Sequence, residues 1–243
     1  MKFVPVPITG GPTDGQRVLF SVWVTRVQDF EVYANISKCV WPKPDFEQGP
    51  THPAVKVNWN DARTFCVWLT EREHTAGVLP AGLIYRLPSD HEWSCAVELG
   101  GTEDPAMSPS AKNWKINGIF PWGADWPPPA GAGNFAGEEL RPAQDAGQYS
   151  AMQILSGYND GFVNTSPVGS FAANRLGLFD LGGNVFQWCE DWFDKKQKTR
   201  ALRGSSWRHA TRYNLLSSGR FQAQPRSRYD DFGFRCVIGA STP

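Results

Sequence analysis

The densest cluster of side chains able to do chemistry lies in LRGSSWRHATRYN, residues 202–214. A Gly/Ser/Trp turn leads into Arg208, His209, Arg212, Tyr213 and Asn214, which bring hydrogen-bond donors and one imidazole but no thiol and no carboxylate. Nucleophilic catalysis needs a nucleophile beside a base, and metal chemistry needs converging ligands. One histidine among arginines supplies neither, so the stretch reads either as an emptied active site or as a surface built for contact. Ligating residues elsewhere are no better grouped. The five cysteines, Cys39, Cys66, Cys95, Cys189 and Cys236, are widely spaced with no CxxC pair; this argues against a zinc site and fits buried, reduced thiols. The four histidines, His52, His74, His91 and His209, stand apart and read as structural or surface residues.

Three helices must help position these groups, and each has a start signal. Thr25 followed by Gln28 makes a capping-box pattern ahead of Val27, Phe30, Tyr33 and Ala34 at helical spacing. Asn58 caps a second helix with Asp61 in its first turn and a stripe of Ala62, Phe65, Cys66 and Leu69. Ser89 and Glu92 form a further capping box, with Gly100-Gly101 predicted to stop that helix. From about 102 to 170 no period of 2 or 3.6 persists, only turn residues between isolated aromatics. A stretch that long must be functional or held by something other than backbone ladders, bound metal ions being one such device. Strand-like pieces return in LGLFDL, VFQWCEDWF, ALRGSSW and FGFRCVI. With no repeat and no evident linker, the economical reading is one α+β domain spanning 1–243, its first residues already a strand, so that Met1 can be the start of an excised piece.

Composition excludes several classes. Twenty-four basic and 24 acidic residues balance, so no overall field invites nucleic acid or an anionic membrane. No apolar run reaches the ~20 residues of a membrane span, and MKFVPVPITGG lacks the apolar core of a secretion signal; a cytoplasmic location is the default expectation. Eleven Trp and 15 Phe beside 24 Gly and 19 Pro suit a loop-rich fold filled by aromatic rings.

THPAVKVNWNDARTFCVWL, YRLPSDHEW, FPWG, GLFDLGGNVFQWCEDWF, RGSSW and GFRC occur in an order and spacing that resembles the formylglycine-generating-enzyme-like (sulfatase-modifying factor) family, from about residue 3 to 238. The resemblance implies a C-type lectin-like fold in which GFRC is a terminal strand, Arg235 pairs with carboxylates below it, and the sulfurs of Cys66 and Cys236 lie close. Enzymes of the family use oxygen and copper(I) held by two cysteines, a soft ligand pair. The matching places here fall on His209 and Asn214, so the resemblance implies no copper and no oxidase chemistry. A related iron-dependent branch needs three histidines that this chain does not group. The family's calcium sites map to Asn134 and Asp160 side chains with the carbonyls of Phe135 and Phe162, and to Asp180, Gly183, Val185 and Gln187, where Gln187 replaces a usual Glu.

The fold is shared by variable proteins of bacterial diversity-generating retroelements, whose segment between the RGGSW-like and GFR-like blocks is rewritten at adenines of Asn codons. Such codons never yield Lys, Glu, Met, Gln or Trp. Residues 202–236 match in place and contain no Lys, Glu or Met; Trp207 belongs to the scaffold, and Gln222 and Gln224 must be fixed. The expected ligand-binding face is Arg208, His209, Ala210, Thr211, Tyr213, Asn214, Gly219, Phe221, Ala223, Arg226, Ser227, Tyr229, Asp230 and Asp231. Eight arginines from Arg200 to Arg235 against two acids favour an acidic partner, with Arg203, Arg220 and Arg235 set aside for the scaffold. The sequence thus points to a non-catalytic module binding a protein or small ligand. The alternatives are a formylglycine-generating-type metal-dependent oxidase and the sensor domain of a bacterial kinase.

Overall fold

The computed structural model describes residues 1–240. Two four-stranded sheets carry the fold. The first runs β1 (Phe3–Pro7), β2 (Arg17–Ser21), β8 (Val237–Ala240) and β3 (Leu83–Arg86), all antiparallel neighbours. The second runs β6 (Arg220–Ala223), β5 (Arg200–Arg203), β4 (Phe186–Trp192) and β7 (Phe232–Gly233), the last pair parallel. FGFRCVI is therefore not one strand: it leaves the second sheet as β7 and enters the first as β8, with Phe234, Arg235 and Cys236 fully buried between. LGLFDL forms no strand either, because Asn174 Oδ1 accepts from the amides of Leu176 and Leu178 and curls the chain into a turn.

The helices keep their expected positions with shifted ends. Asn58 and Ser89 cap α2 (Trp59–Thr75) and α3 (Asp90–Ala96), each with its reciprocal acid at N3. Helix α1 (Val27–Ser37) is capped by Arg26 and Asp29 rather than Thr25 and Gln28. Thr25 is held elsewhere: its amide donates to Phe234 and its carbonyl accepts from Ala54. Helix α3 stops at Ala96, before the glycines. Gly100 answers a different need, since a Cβ there would lie 2.3 Å from Cys95 Sγ.

Helices α1 and α2 pack an aromatic core in which Phe65 meets Phe30 and Phe234 at centroid separations of 5.7 and 5.4 Å. Cys66 and Cys236 face each other here at 3.6 Å between sulfurs, unbonded, and burial pushes the Cys66 thiol well up. The irregular middle of the chain has its own tie. Phe120, Phe135, Leu140, Leu155 and Tyr158 form a second core with Trp122, Trp126 and Tyr149 against it, and Gln144 of the short helix Arg141–Asp145 donates to the carbonyls of Tyr149 and Met152 beside it.

Between the sheets and α3 lies a buried ionic cluster. Asp90 accepts from Arg203 at 2.6 Å, from Arg220 at 2.9 and 3.0 Å, and from Lys112 at 2.7 Å. Glu103 receives Arg220 at 2.9 and 2.5 Å and Ser94 at 2.7 Å. Burial alone would raise the Asp90 carboxyl, but the charges of Arg203, Arg220 and Lys112 overrule it and hold the group far below the usual range. Asp191, which accepts the Asp90 amide but makes no ion pair among the described residues, is pushed up to about 6 by burial and by Asp90's charge, against that hydrogen bond and the charge of Lys112. Arg235 differs from its expected role: it finds no carboxylate, donating to Gln187 Oε1 at 2.6 Å and to the carbonyls of Ser21, Phe179 and Asp180.

Removing one partner from such a cluster leaves a buried charge uncompensated, at a cost of ~3–5 kcal/mol. Arg220→Met is expected to lose that much in urea unfolding at pH 7, whereas Arg208→Met, which breaks a partly exposed pair, loses at most about 1 kcal/mol. Because Asp90's folded value is depressed, its contribution is present above the ordinary carboxylate range and disappears only as pH falls through the depressed folded value. Unfolding midpoints of the wild type at pH 7 and pH 4 therefore differ little on this account.

Candidate functional site

Strand β5 ends in a sharp turn, with Gly204 at φ 92° and Ser205 at φ 62°. The turn is pinned by Gly183 donating to Gly204 and Trp207 donating to Asn184, and it buries Trp207 completely. The Arg208 guanidinium then lies 4.4 Å over the Trp207 ring and grips Asp230 with two bonds of 3.0 and 2.7 Å. The His209 ring meets Phe186 edge-on at 5.1 Å, and its Nδ1 is 2.9 Å from Ser206 Oγ, which itself donates to Asp231 at 2.7 Å.

In β6, alternation carries Arg220 inward to the ionic cluster and turns Phe221 outward, 45% exposed. Phe221 stacks on Phe186 at 5.1 Å, and Tyr229, 57% exposed, leans on Phe232 at 4.8 Å. Together these residues line an open cleft of about 1000 Å³. Of the expected face, the structure brings together Arg208, His209, Phe221, Ala223, Ser227, Tyr229, Asp230 and Asp231. Ala210 instead packs in the second core with Leu215 and Leu216, and Thr211, Asn214 and the exposed Arg226 lie outside the cleft. Tyr213 and Gly219 sit on another surface beside Trp114. Lys56, Phe186, Thr199, Arg228, Phe232 and the two residues expected to be fixed, Gln222 and Gln224, complete the lining; Lys56, Phe186 and Thr199 come from distant parts of the chain, whereas Arg228 and Phe232 lie within 202–236 among the expected residues.

The arginine excess is largely spent inside the fold. Arg203 and Arg220 serve Asp90, Arg235 serves Gln187, Arg208 serves Asp230, Arg228 serves Asp61, and Arg200 stacks on Trp59 and Trp192. The expected pull toward an acidic partner therefore has no surface basis beyond Arg212 and Arg226. Asn214 does not join His209 in the cleft, and among the described residues no three His, Cys, Asp or Glu side chains are grouped to hold a metal ion. His52, His74 and His91 bond separately to Thr165, Leu83 and Thr9.

The two calcium-type positions differ in chemistry. At the first, Asp160 is met by the N–H groups of Phe135 and Phe162 at 2.8 and 2.9 Å, while Asn134 Oδ1 is buried without a partner. Burial pushes Asp160 up to about 7 against those two amides, the nearby Glu139 charge adding to the rise, and burial also raises Glu139. The half-buried Asp160 and Glu139 and the orphaned Asn134 amide oxygen are donors of the kind a hard cation takes. At the second, the residues do not fit one. Gln187 Oε1 is taken by Arg235 and Trp93, and the Asp180 carbonyl by Gln187 Nε2 and Arg235, so a guanidinium already satisfies those oxygens. The Asp180 carboxylate is held by the Gly169 amide and Asn184, and Gly183 and Val185 add no side-chain ligand.

Two sheets of short strands, long ordered loops and a cleft at the turn after β5 define a formylglycine-generating-enzyme-like variant of the C-type lectin fold. Residues 13–240 match the model of the sulfatase-modifying factor enzyme 1-like domain, and the chain belongs to that family. It is 28% identical over 232 residues to the inactive C-alpha-formylglycine-generating enzyme 2 of Bos taurus, covering 90% of this chain and 62% of the relative. It is likewise 28% identical to the formylglycine-generating enzyme of Thermomonospora curvata, covering 77% and 55%. The chain thus spans about three-fifths or less of these relatives' length. Its fold is also that of Treponema denticola variable protein 1, with a TM-score of 0.57, 16% identity and coverage of 97% and 94%.

Asp160 carries a pH signature. Its folded value lies above its unfolded one, so in calcium-free buffer stability falls as pH rises from about 4 and levels off above 7. Asp160→Asn should lessen the decline read from unfolding midpoints between pH 5 and pH 8, Asp191 and Asp231 contributing the remainder.

Proposed function

We propose that this chain is a non-catalytic ligand-binding module whose binding face is the cleft beneath Phe221 and Tyr229. The observation that carries the reading is the turn after Trp207. The resemblance places His209 and Asn214 where the family's enzymes carry their two thiols, and beside His209 the cleft offers the aromatic side chains of Phe221 and Tyr229. Tyr and Phe give contact area at small entropic cost, the economy of a contact surface. The inactive relative from Bos taurus supports the absence of turnover, while the Thermomonospora curvata relative keeps the oxidase reading as the one to be tested against.

We further infer that 202–236 is a diversified segment of a retroelement variable protein. The fold shared with Treponema denticola variable protein 1 supports this, as does the clustering of eight codon-reachable residues around one cleft. Asn134, Glu139 and Asp160 are proposed to hold a structural calcium ion. Its charge would relieve the repulsion between the two acids and tie the irregular 133–164 region to the second core, with no part in chemistry at the cleft.

Copper(I) titration with a competing chelator should show no tight, thiol-dependent binding, and a cysteine peptide should provoke no oxygen consumption; either signal overturns the non-catalytic reading. A near-identical template repeat in the gene's neighbourhood, differing only at adenines, is the expected mark of diversification. Millimolar calcium should raise the melting temperature of the wild type by several degrees and leave Asp160→Asn unmoved.

A further inference from the structure

The hydrogen bonds at the back of the cleft form a chain with a fixed direction. Ser206 gives its single hydroxyl proton to Asp231 at 2.7 Å. Its oxygen can then only accept, from His209 Nδ1 at 2.9 Å and from the Arg208 amide at 3.3 Å. His209 must therefore carry its proton on Nδ1. Its Nε2 is left as a bare lone pair, with no hydrogen bond to any described residue, on a side chain that lines the cleft.

The cations of the lining are each paired. Arg208 is spent on Asp230, Lys56 on Asp45 at 3.4 Å, and Arg228 on Asp61 at 2.9 Å. Gln222 Oε1 is occupied by Thr199. Gln222 Nε2, Gln224 and Ser227 also line the cleft; besides its two exposed aromatic faces, the acceptor fixed by the hydrogen-bond chain is the one imidazole nitrogen. The Asp231 carboxylate is buried and engaged by Ser206, and an anionic ligand would have to displace Asp230, Asp45 or Asp61 from its cation.

We propose that the cleft selects an uncharged aromatic group bearing one N–H or O–H donor, of phenol or indole type, seated against Phe221 and Tyr229 with its donor on His209 Nε2, and that protonation of Asp231 inverts this preference. The inference rests on the reading of the cleft as a binding face and specifies what that face accepts.

The inversion follows from proton balance. One proton enters at Nε2, the Nδ1 proton passes to Ser206 Oγ, and the Ser206 proton passes to Asp231 Oδ2. One proton is taken up, His209 remains neutral, and Nε2 becomes a donor. The order of titration permits this. Burial raises Asp231 to about 6, opposed by the Ser206 hydrogen bond and the Arg208 charge and helped by Asp230. Burial, with Arg208, lowers His209 to about 4. The other charged groups around the cleft are the paired Lys56 and Arg228, and Phe186 and Phe232 close it apolarly.

The test uses the full chain. Nitrogen-15 NMR of labelled histidine, with the resonance assigned by its loss in His209→Gln, should show Nδ1–H at pH 7.5 and neutral Nε2–H at pH 5. Nε2–H at pH 7.5, or an imidazolium by pH 5, overturns the directed chain. In calorimetry at pH 7.5, p-cresol should bind about tenfold more tightly than 4-methylanisole, which has the same ring but no donor. At pH 5 the ranking should vanish or reverse, and in Ser206→Ala it should no longer depend on pH. No binding of p-cresol, equal binding of the two at pH 7.5, or tighter binding of a methyl glycoside or of p-toluate overturns the ligand class. The histidine tautomer is read without any ligand, so a Ser206→Ala chain that fails to fold leaves the test intact. Failure of the non-catalytic reading would show separately, as copper binding and oxygen consumption.

Discussion

The carboxylate of Asp90 is the point on which the second sheet and α3 agree. It opens α3, lies at 1% exposure, and holds three cations: Arg203 from β5, Arg220 from β6 and Lys112 from the short helix at 109–112. Each ion would be expensive to bury alone, and each is tolerated because most of its hydrogen-bonding positions are met. Glu103, Ser94 and the carbonyls of Ser217 and Ser218 take further guanidinium N–H groups, while Arg203 Nε is buried without a partner. Elements far apart in the chain are thereby locked at one relative position, a precision that aromatic packing alone would not impose.

That lock also determines the cleft. Phe221 follows Arg220, and in a strand successive side chains point to opposite faces, so anchoring Arg220 in the ionic cluster aims Phe221 away from it. Arg203 stands one residue before the turn that presents Ser206, Arg208 and His209. The cleft is mounted directly on this ionic cluster. The proposed diversification would need such a rigid scaffold beneath a tolerant surface, since replacements at exposed positions then leave folding untouched. The eight cleft residues are not equally free. Asp231 and His209 are joined through Ser206, whereas Phe221 and Tyr229 only lean on neighbours.

The family resemblance and the departure from the family's chemistry share one source. Gly204 and Trp207 belong to the RGSSW block that carries the resemblance, and the same resemblance implies that His209 and Asn214, neither of them a thiol, fall where the enzymes hold copper(I). At the second calcium position, Gln187 pairs with Arg235, and a guanidinium replaces a bound ion as the tie between β4 and the crossing from β7 to β8.

Much was legible in the residues. The two helix starts at Asn58 and Ser89, the approach of Cys66 and Cys236, the scaffold ion pairing of Arg203 and Arg220, and the fold itself follow from local capping chemistry and from ordered sequence blocks. Capping and periodicity act within a few residues, and composition rules out thiol chemistry at 209 and 214 without any coordinates. Other features could not be read there. Thr25 lost its cap because Phe234 and Ala54 claimed its backbone, FGFRCVI divided between two sheets, and Ala210, Tyr213 and Asn214 left the face that their neighbours form. Ser206 and Asp231 are 25 residues apart, and Lys56 lies beyond 170 residues from Arg228, yet all four meet at the cleft. Such pairings are set by burial and by competition among hydrogen-bond partners in three dimensions, and only the tertiary structure decides them.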